Sequence, residues 1–104
     1  MSAADGDVTD EELADDPVYV ISVAAKLAGL ATWTLRVFDK EGIVCPKRTE
    51  KDRRLYSDRD IATLARVRYL TEERGVNMNG VKLILEMEQK AREIRTASES
   101  REGE

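Results

Sequence analysis

The sequence has no histidine and one cysteine, Cys45. Lacking histidine, the chain lacks the commonest general base near neutral pH and the commonest metal ligand. One thiol cannot close an intrachain disulfide or build a multi-cysteine zinc site. Cys45, just before Pro46, reads as an incidental small residue rather than a thiol sensor. Aromatic residues make up only 5% of the chain, and there are two prolines. No apolar run approaches the ~20 residues that span a bilayer. The N-terminus is acidic, where a secretory leader would be basic and then apolar. No grouping of nucleophile and base is visible, so an enzyme is the least expected class. No cofactor and no metal are expected. The length, 104 residues, suits one domain. The expectation is a small cytoplasmic binding protein with no membrane attachment.

What is present is charge, at 37% of residues against the usual quarter. The net charge of −4 conceals an uneven distribution. Residues 1–16 carry a net −7, residues 17–70 a net +5, and residues 71–104 a net −2. A basic middle between acidic ends is a footprint to test for phosphate binding, although charge runs usually mark only a solvated surface.

The chain then divides by pattern. Residues 1–17 read as an acidic disordered tail. Ser22 is placed to cap a short helix with Val23, Ala24, Leu27 and Ala28 on its buried side, and Gly29 stops it. Thr32 can cap a second helix whose stripe is Leu35 and Phe38, with Gly42 as its stop. Two short helices about a tight turn make a helix-turn-helix candidate. Pro46 bars further helix. Residues 47–56 suit a β-hairpin with its tip at Glu50-Lys51-Asp52. Ser57 and Asp60 fit a capping box. It opens a third helix carrying Ile61, Leu64, Ala65, Val67 and Leu70, which Gly75 ends. Asn77 can cap a fourth helix. Residues 97–104 read as a polar, disordered tail.

Three segments could meet a partner. With Leu35 and Phe38 inward, the second helix turns Thr32, Trp33, Arg36, Val37 and Lys40 outward. A helix that reads a major groove needs such a face. Arg36 could instead pair with Asp39 or Glu41, and Trp33 could be core, a base contact or a protein contact. In the hairpin, Lys51, Arg53, Arg54 and Tyr56 could grip phosphate or enter a minor groove. Alternation puts Arg54 and Tyr56 on one strand face and Arg53 on the other. In the fourth helix, Val81, Ile84, Leu85, Met87, Ala91 and Ile94 form an apolar seam. It either meets a second copy in a two-fold dimer or folds back on its own chain.

The residues resemble the MerR family of winged-helix transcription regulators. Ile21 to Ala25 and Gly29 resemble that family's first helix and turn. Thr34-Leu35-Arg36-Val37-Phe38-Asp39-Lys40-Glu41-Gly42-Ile43 resembles its second-helix signature, and Arg53 to Ile61 its wing and third-helix start. Residues 21–29, 42–49 and 73–82 are most similar to the heat-shock repressor (HspR) subgroup. The resemblance implies a mainly α fold: a winged helix-turn-helix over residues 18–75, with a small hairpin wing, followed by a C-terminal dimerisation helix over 76–96. It implies a sequence-specific repressor of stress or chaperone genes, nucleoid-associated, bound as a homodimer to an inverted repeat in double-stranded DNA. It adds Thr34 to the major-groove set and a DnaK-type chaperone as co-repressor. Three departures stand out: Val37 replaces a family tyrosine, Glu50-Lys51-Asp52 replaces a glycine-rich wing tip, and Trp33 stands at a position usually polar. Two alternatives stay open. One is a protein-interaction adaptor using Trp33 and the fourth helix, and the other is an excisionase-like DNA-architectural protein.

Overall fold

In a computed structural model of the chain, residues 15–102 are described. The acidic segment 1–14 and residues 103–104 lie outside them. The described residues form β1 (Tyr19–Val20), α1 (Ile21–Ala28), α2 (Thr32–Lys40), β2 (Lys47–Arg48), β3 (Arg54–Tyr56), α3 (Asp58–Arg68) and α4 (Met78–Glu102), with a wide π-helical turn at Tyr69–Glu73. This is a mainly helical winged helix-turn-helix with a small antiparallel sheet. One compact unit ends at Tyr69 and a second begins at Leu70.

In the first unit, β1 leads straight into α1. The helix starts at Ile21, one residue before the expected Ser22 cap, with extended Val20 at the cap position and no side-chain cap bond. The inward face of α1 is alanine: Ala24, Ala25 and Ala28 are buried, whereas Val23 and Leu27 are exposed. The expectation for Val23 and Leu27 is therefore corrected. α1 packs against α2, α3 and β3, and small side chains at a contact let helices approach closely. Gly29 has φ +74, and a Cβ there would lie 3.4 Å from the Arg68 guanidinium of α3. The N–H groups of Gly29 and Leu30 return to the carbonyls of Lys26 and Ala25, at 3.2 and 2.9 Å. This double closure ends the helix at a left-handed residue. α2 then leaves at 101° to α1, within the range of helix-turn-helix pairs.

α2 begins at Thr32 itself, behind extended Ala31, so Thr32 is not the cap expected of it. Leu35 and Phe38 are buried as the stripe requires. The sheet has the order β1-β3-β2. Tyr19 pairs with Tyr56, Val20 with Leu55, Lys47 with Leu55, and Arg48 with Arg54. β1 was not foreseen as a strand, because two residues carry no periodicity. At the hairpin tip the Thr49 hydroxyl accepts from the N–H groups of Lys51 and Arg53, at 3.2 and 3.1 Å. The expected capping box is complete: Asp60 N–H donates to Ser57 Oγ and Ser57 N–H to Asp60 Oδ2, both at 3.0 Å. α3 buries Leu64 and Val67 but leaves Ala65 exposed.

In the second unit, Asn77 caps α4 as expected, its Oδ1 accepting from Gly80 N–H at 2.8 Å. Val76 and Val81 occupy the two positions of a hydrophobic staple. A Cβ on Gly80 would come within 2.7 Å of Val76 Cγ1, so the glycine lets the first turn close under that valine. α4 runs on to Glu102, through residues expected to be a disordered tail. No glycine or proline interrupts residues 81–102, and its Ala, Glu, Arg and Lys residues propagate a helix well.

Candidate nucleic-acid interface

The solvent face of α2 is formed by Trp33, Arg36, Val37 and Lys40, all exposed, with Thr32 and Thr34 half-buried at its margins. The face follows from the helix period. With Leu35 and Phe38 fixed inward, residues at 33, 36, 37 and 40 fall on the opposite side. Trp33 is 67% exposed, against 4% for Phe38 and 0% for Tyr56, so the core reading of Trp33 is excluded. Arg36 does not pair with Asp39. Among the described residues neither Arg36 nor Lys40 has an ion-pair partner.

Asp39 instead faces the wing. Its Oδ2 accepts from Arg54 Nε at 2.9 Å and from the Arg48 guanidinium at 3.1 Å. Arg48 and Arg54 are cross-strand partners, and like charges directly opposite repel. The Asp39 carboxylate bridges both and so ties the wing to α2, while Arg48 also pairs with Asp52 Oδ1 at 3.4 Å. Arg48 also donates to the Asp52 carbonyl at 3.1 Å, which braces the turn where Asp52 takes φ 63.

This arrangement revises the hairpin set. Lys51 and Arg53 are exposed and available. Arg54 is half-buried and held by Asp39, so it positions the wing rather than reaching outward. Tyr56 is fully buried and cannot touch a phosphate. The strand face shared by Arg54 and Tyr56 points at the helices, and alternation leaves Arg53 outward. The Tyr56 hydroxyl has no hydrogen-bond partner, and burial pushes its pKa up to about 12. Tyr19 donates to Asp58 Oδ1 at 2.7 Å, and that bond, then the Asp58 charge, raises its pKa. Cys45 is exposed, with a long contact of 3.9 Å to the Asp39 carbonyl. Among the described residues no group of His, Cys, Asp and Glu could hold a metal ion. No single helix there is long and apolar enough to cross a membrane.

The seam expected on α4 is split. Val81 is fully buried, and Ile84 and Leu85 are half-buried, while Met87 and Ile94 are 61% and 64% exposed. Val81 is therefore withdrawn from any surface for a partner. Leu83, 55% exposed, was missed and falls on the same side as Met87 and Ile94 by helical spacing.

A family model for MerR helix-turn-helix regulatory proteins matches residues 19–88. The chain belongs to the MerR family. Among its MerR-family relatives is a Streptomyces coelicolor protein named HspR, a heat shock protein by name. It is 49% identical over 80 residues, which cover 77% of this chain and 53% of that protein. The chain thus spans about half the length of that relative. The regulator GlnR of Bacillus anthracis is 29% identical over 93 residues, 88% of this chain and 71% of GlnR. The repressor CarH of Myxococcus xanthus is 39% identical over 56 residues, 53% of this chain and 19% of CarH. Two solved MerR-family structures share the fold. One is a regulator from Bacillus cereus, with TM-score 0.57, 22% identity, and coverage of 80% of this chain and 70% of that one. The other is HiNmlR, a regulator lacking the sensor domain and bound to promoter DNA. Its TM-score is 0.56 at 24% identity, covering 80% of this chain and 76% of that one.

Within this MerR fold what sequence reasoning missed is the pairing of Asp39 with Arg48 and Arg54. The usable signal was electrostatic. A strand pair placing two arginines opposite each other needs a carboxylate, and Asp39 is the one acid within α2.

Proposed function

We propose that the chain is a sequence-specific DNA-binding transcriptional regulator, and that it represses stress or chaperone genes. The observation that carries this reading is the exposed Arg36–Lys40 row on α2, in the same unit as exposed Lys51 and Arg53 on a wing fixed by Asp39. Arginine is the side chain that most often reads guanine in a major groove, and wing cations suit phosphate or minor-groove contact. The proposed contact set is Thr32, Trp33, Thr34, Arg36, Lys40, Lys51 and Arg53. The promoter DNA bound by HiNmlR, which shares the fold, supports the same use of it. The likeness to HspR supports the stress-gene assignment. A cytoplasmic, nucleoid-associated location and a DnaK-type chaperone as co-repressor belong to this reading on that likeness alone.

The reading includes a two-fold dimer through α4. The exposed stripe Leu83, Met87, Ala91 and Ile94 gives a second copy an apolar face to meet, and a two-fold pair matches an inverted repeat with half-sites one or two turns apart. The test is a salt titration of binding to a fluorescent duplex carrying the inverted repeat from the gene's own promoter, against scrambled duplex. The expected result is a specific Kd of about 10⁻⁸–10⁻¹¹ M near physiological salt, with a steep negative salt slope. Equal affinity for both duplexes at every salt concentration overturns it. An adaptor that binds only protein would bind neither.

A further inference from the structure

We infer that Trp33 and Val37 form an apolar reading pair for a thymine 5-methyl group, set beside the guanine that Arg36 contacts; this rests on the DNA-binding reading above. The two residues are four apart on α2, so their side chains sit one turn above the other on the same face. Both are exposed, Trp33 at 67% and Val37 at 38%. Phe38 and Tyr56 in the same unit are buried, so the exposed indole is not surplus core. Arg36 and Lys40, also four apart, run alongside and are exposed. The one acid within α2, Asp39, is turned away into the wing and held there by two arginines. The face is thus an apolar row beside a cationic row, with no acidic side chain from within α2 on it; the first acid on that side is Glu41, the exposed C-cap residue one turn past Val37. That pattern fits a polyanion that also presents methyl groups. In a major groove the only such group is the thymine C5 methyl, and apolar side chains are what read it. A protein partner able to satisfy Arg36 and Lys40 would instead need a matching acidic row.

The test uses the full chain and DNA chosen by the protein. A random-sequence duplex library is selected for binding, and the enriched duplex is resynthesised with deoxyuridine replacing each thymine in turn. Uracil keeps every hydrogen-bonding group and loses only the methyl. We expect one thymine per half-site at which uracil weakens binding by about fourfold, the effect of keeping one methyl in water. Replacing both should give about fifteenfold, since well-separated positions add. Trp33→Ala should weaken binding to the thymine duplex and shrink the further loss with uracil, because the larger of the methyl's two partners has gone. The exposed position makes this variant fold like the parent, which circular dichroism checks. Uracil tolerated at every position overturns the inference and leaves the regulator reading standing. So does a Trp33→Ala variant that keeps the full thymine preference. Failure to enrich any sequence overturns both.

Discussion

On α2 and α4 exposed apolar side chains sit under opposite electrostatic conditions. On α2 the exposed Trp33 and Val37 lie beside Arg36 and Lys40, and the only acid in the helix is engaged by the wing. On α4 the exposed Leu83, Met87 and Ile94 lie among residues of both signs, including Lys82, Glu86, Glu88, Lys90 and Glu93. Apolar exposure by itself says only that something can bind. The neighbouring charges say what. A one-sign border favours a polyanion, and a mixed border favours a copy of the same helix, whose opposite charges can pair across an antiparallel contact. α2 is nine residues with two buried anchors, whereas α4 is 25 residues with Val81 as its one buried described side chain. The first is anchored in its unit by Leu35 and Phe38, and the second leaves most of its described surface exposed.

The comparison can be broken most directly at α4. The double substitution Met87→Asp with Ile94→Asp puts charge into the stripe on each copy. Sedimentation equilibrium should show a shift from dimer to monomer by more than about a hundredfold in dissociation constant, since each buried apolar side chain contributes roughly 1.5–3 kcal/mol. Helical content should be unchanged, because both positions are exposed. A monomeric parent would show that the stripe has another use. Arg36→Ala should do the reverse: specific binding falls by roughly 1–3 kcal/mol with the oligomeric state intact. Operator affinity equal to the parent's would remove α2 as the reading helix.

A sharper question is what holds α2 to the wing. Asp39→Ala removes the carboxylate that Arg54 and Arg48 share and leaves Arg48 with Asp52 alone. Thermal unfolding should show a loss of about 1.5–3 kcal/mol, the range for hydrogen bonds to charged groups. An unchanged melting temperature would mean that the wing is held without the carboxylate.

The smallest effect is expected at Tyr56. Tyr56→Phe removes a buried hydroxyl that has no partner, so stability at neutral pH should change by less than about 1 kcal/mol, and DNA affinity should not change. A loss of affinity would restore the direct contact that burial denies. The effect of pH has a definite sign. Below pH 10 both folded and unfolded chains keep the phenol proton. Between 10 and about 12 the unfolded chain ionises while folded Tyr56 holds its proton, so stability falls with rising pH. Tyr19, also raised, adds to the fall in the same direction. In Tyr56→Phe the decline should be shallower, leaving the part due to Tyr19.

Much of this was legible in the residues. Gly29, the Leu35–Phe38 stripe, the Ser57–Asp60 capping box and the Asn77 cap are local signals, and each sits where its own chemistry placed it. The candidate site was half legible. Arg36 and Lys40 followed from period alone. The same arithmetic put Arg54 and Tyr56 on one strand face but could not say which way that face turns. Charge and aromaticity suggested outward, whereas packing against the helices took it inward. The α4 seam was legible in part for a related reason: Met87 and Ile94 are exposed and Val81 is buried, and period groups residues into faces without saying which face is already covered.

What the sequence determines by itself is where a strong local signal marks a boundary, as at Gly29, the Ser57–Asp60 box and Asn77, because caps and stops act between residues a few positions apart. The tertiary structure alone decided which face of each element stays open, that Asp39 joins α2 to the wing, that two residues before α1 become a strand, and that Trp33 is presented to solvent while Tyr56 is buried. Those outcomes depend on contacts between residues distant in the chain, and no local pattern encodes the burial of one surface by another.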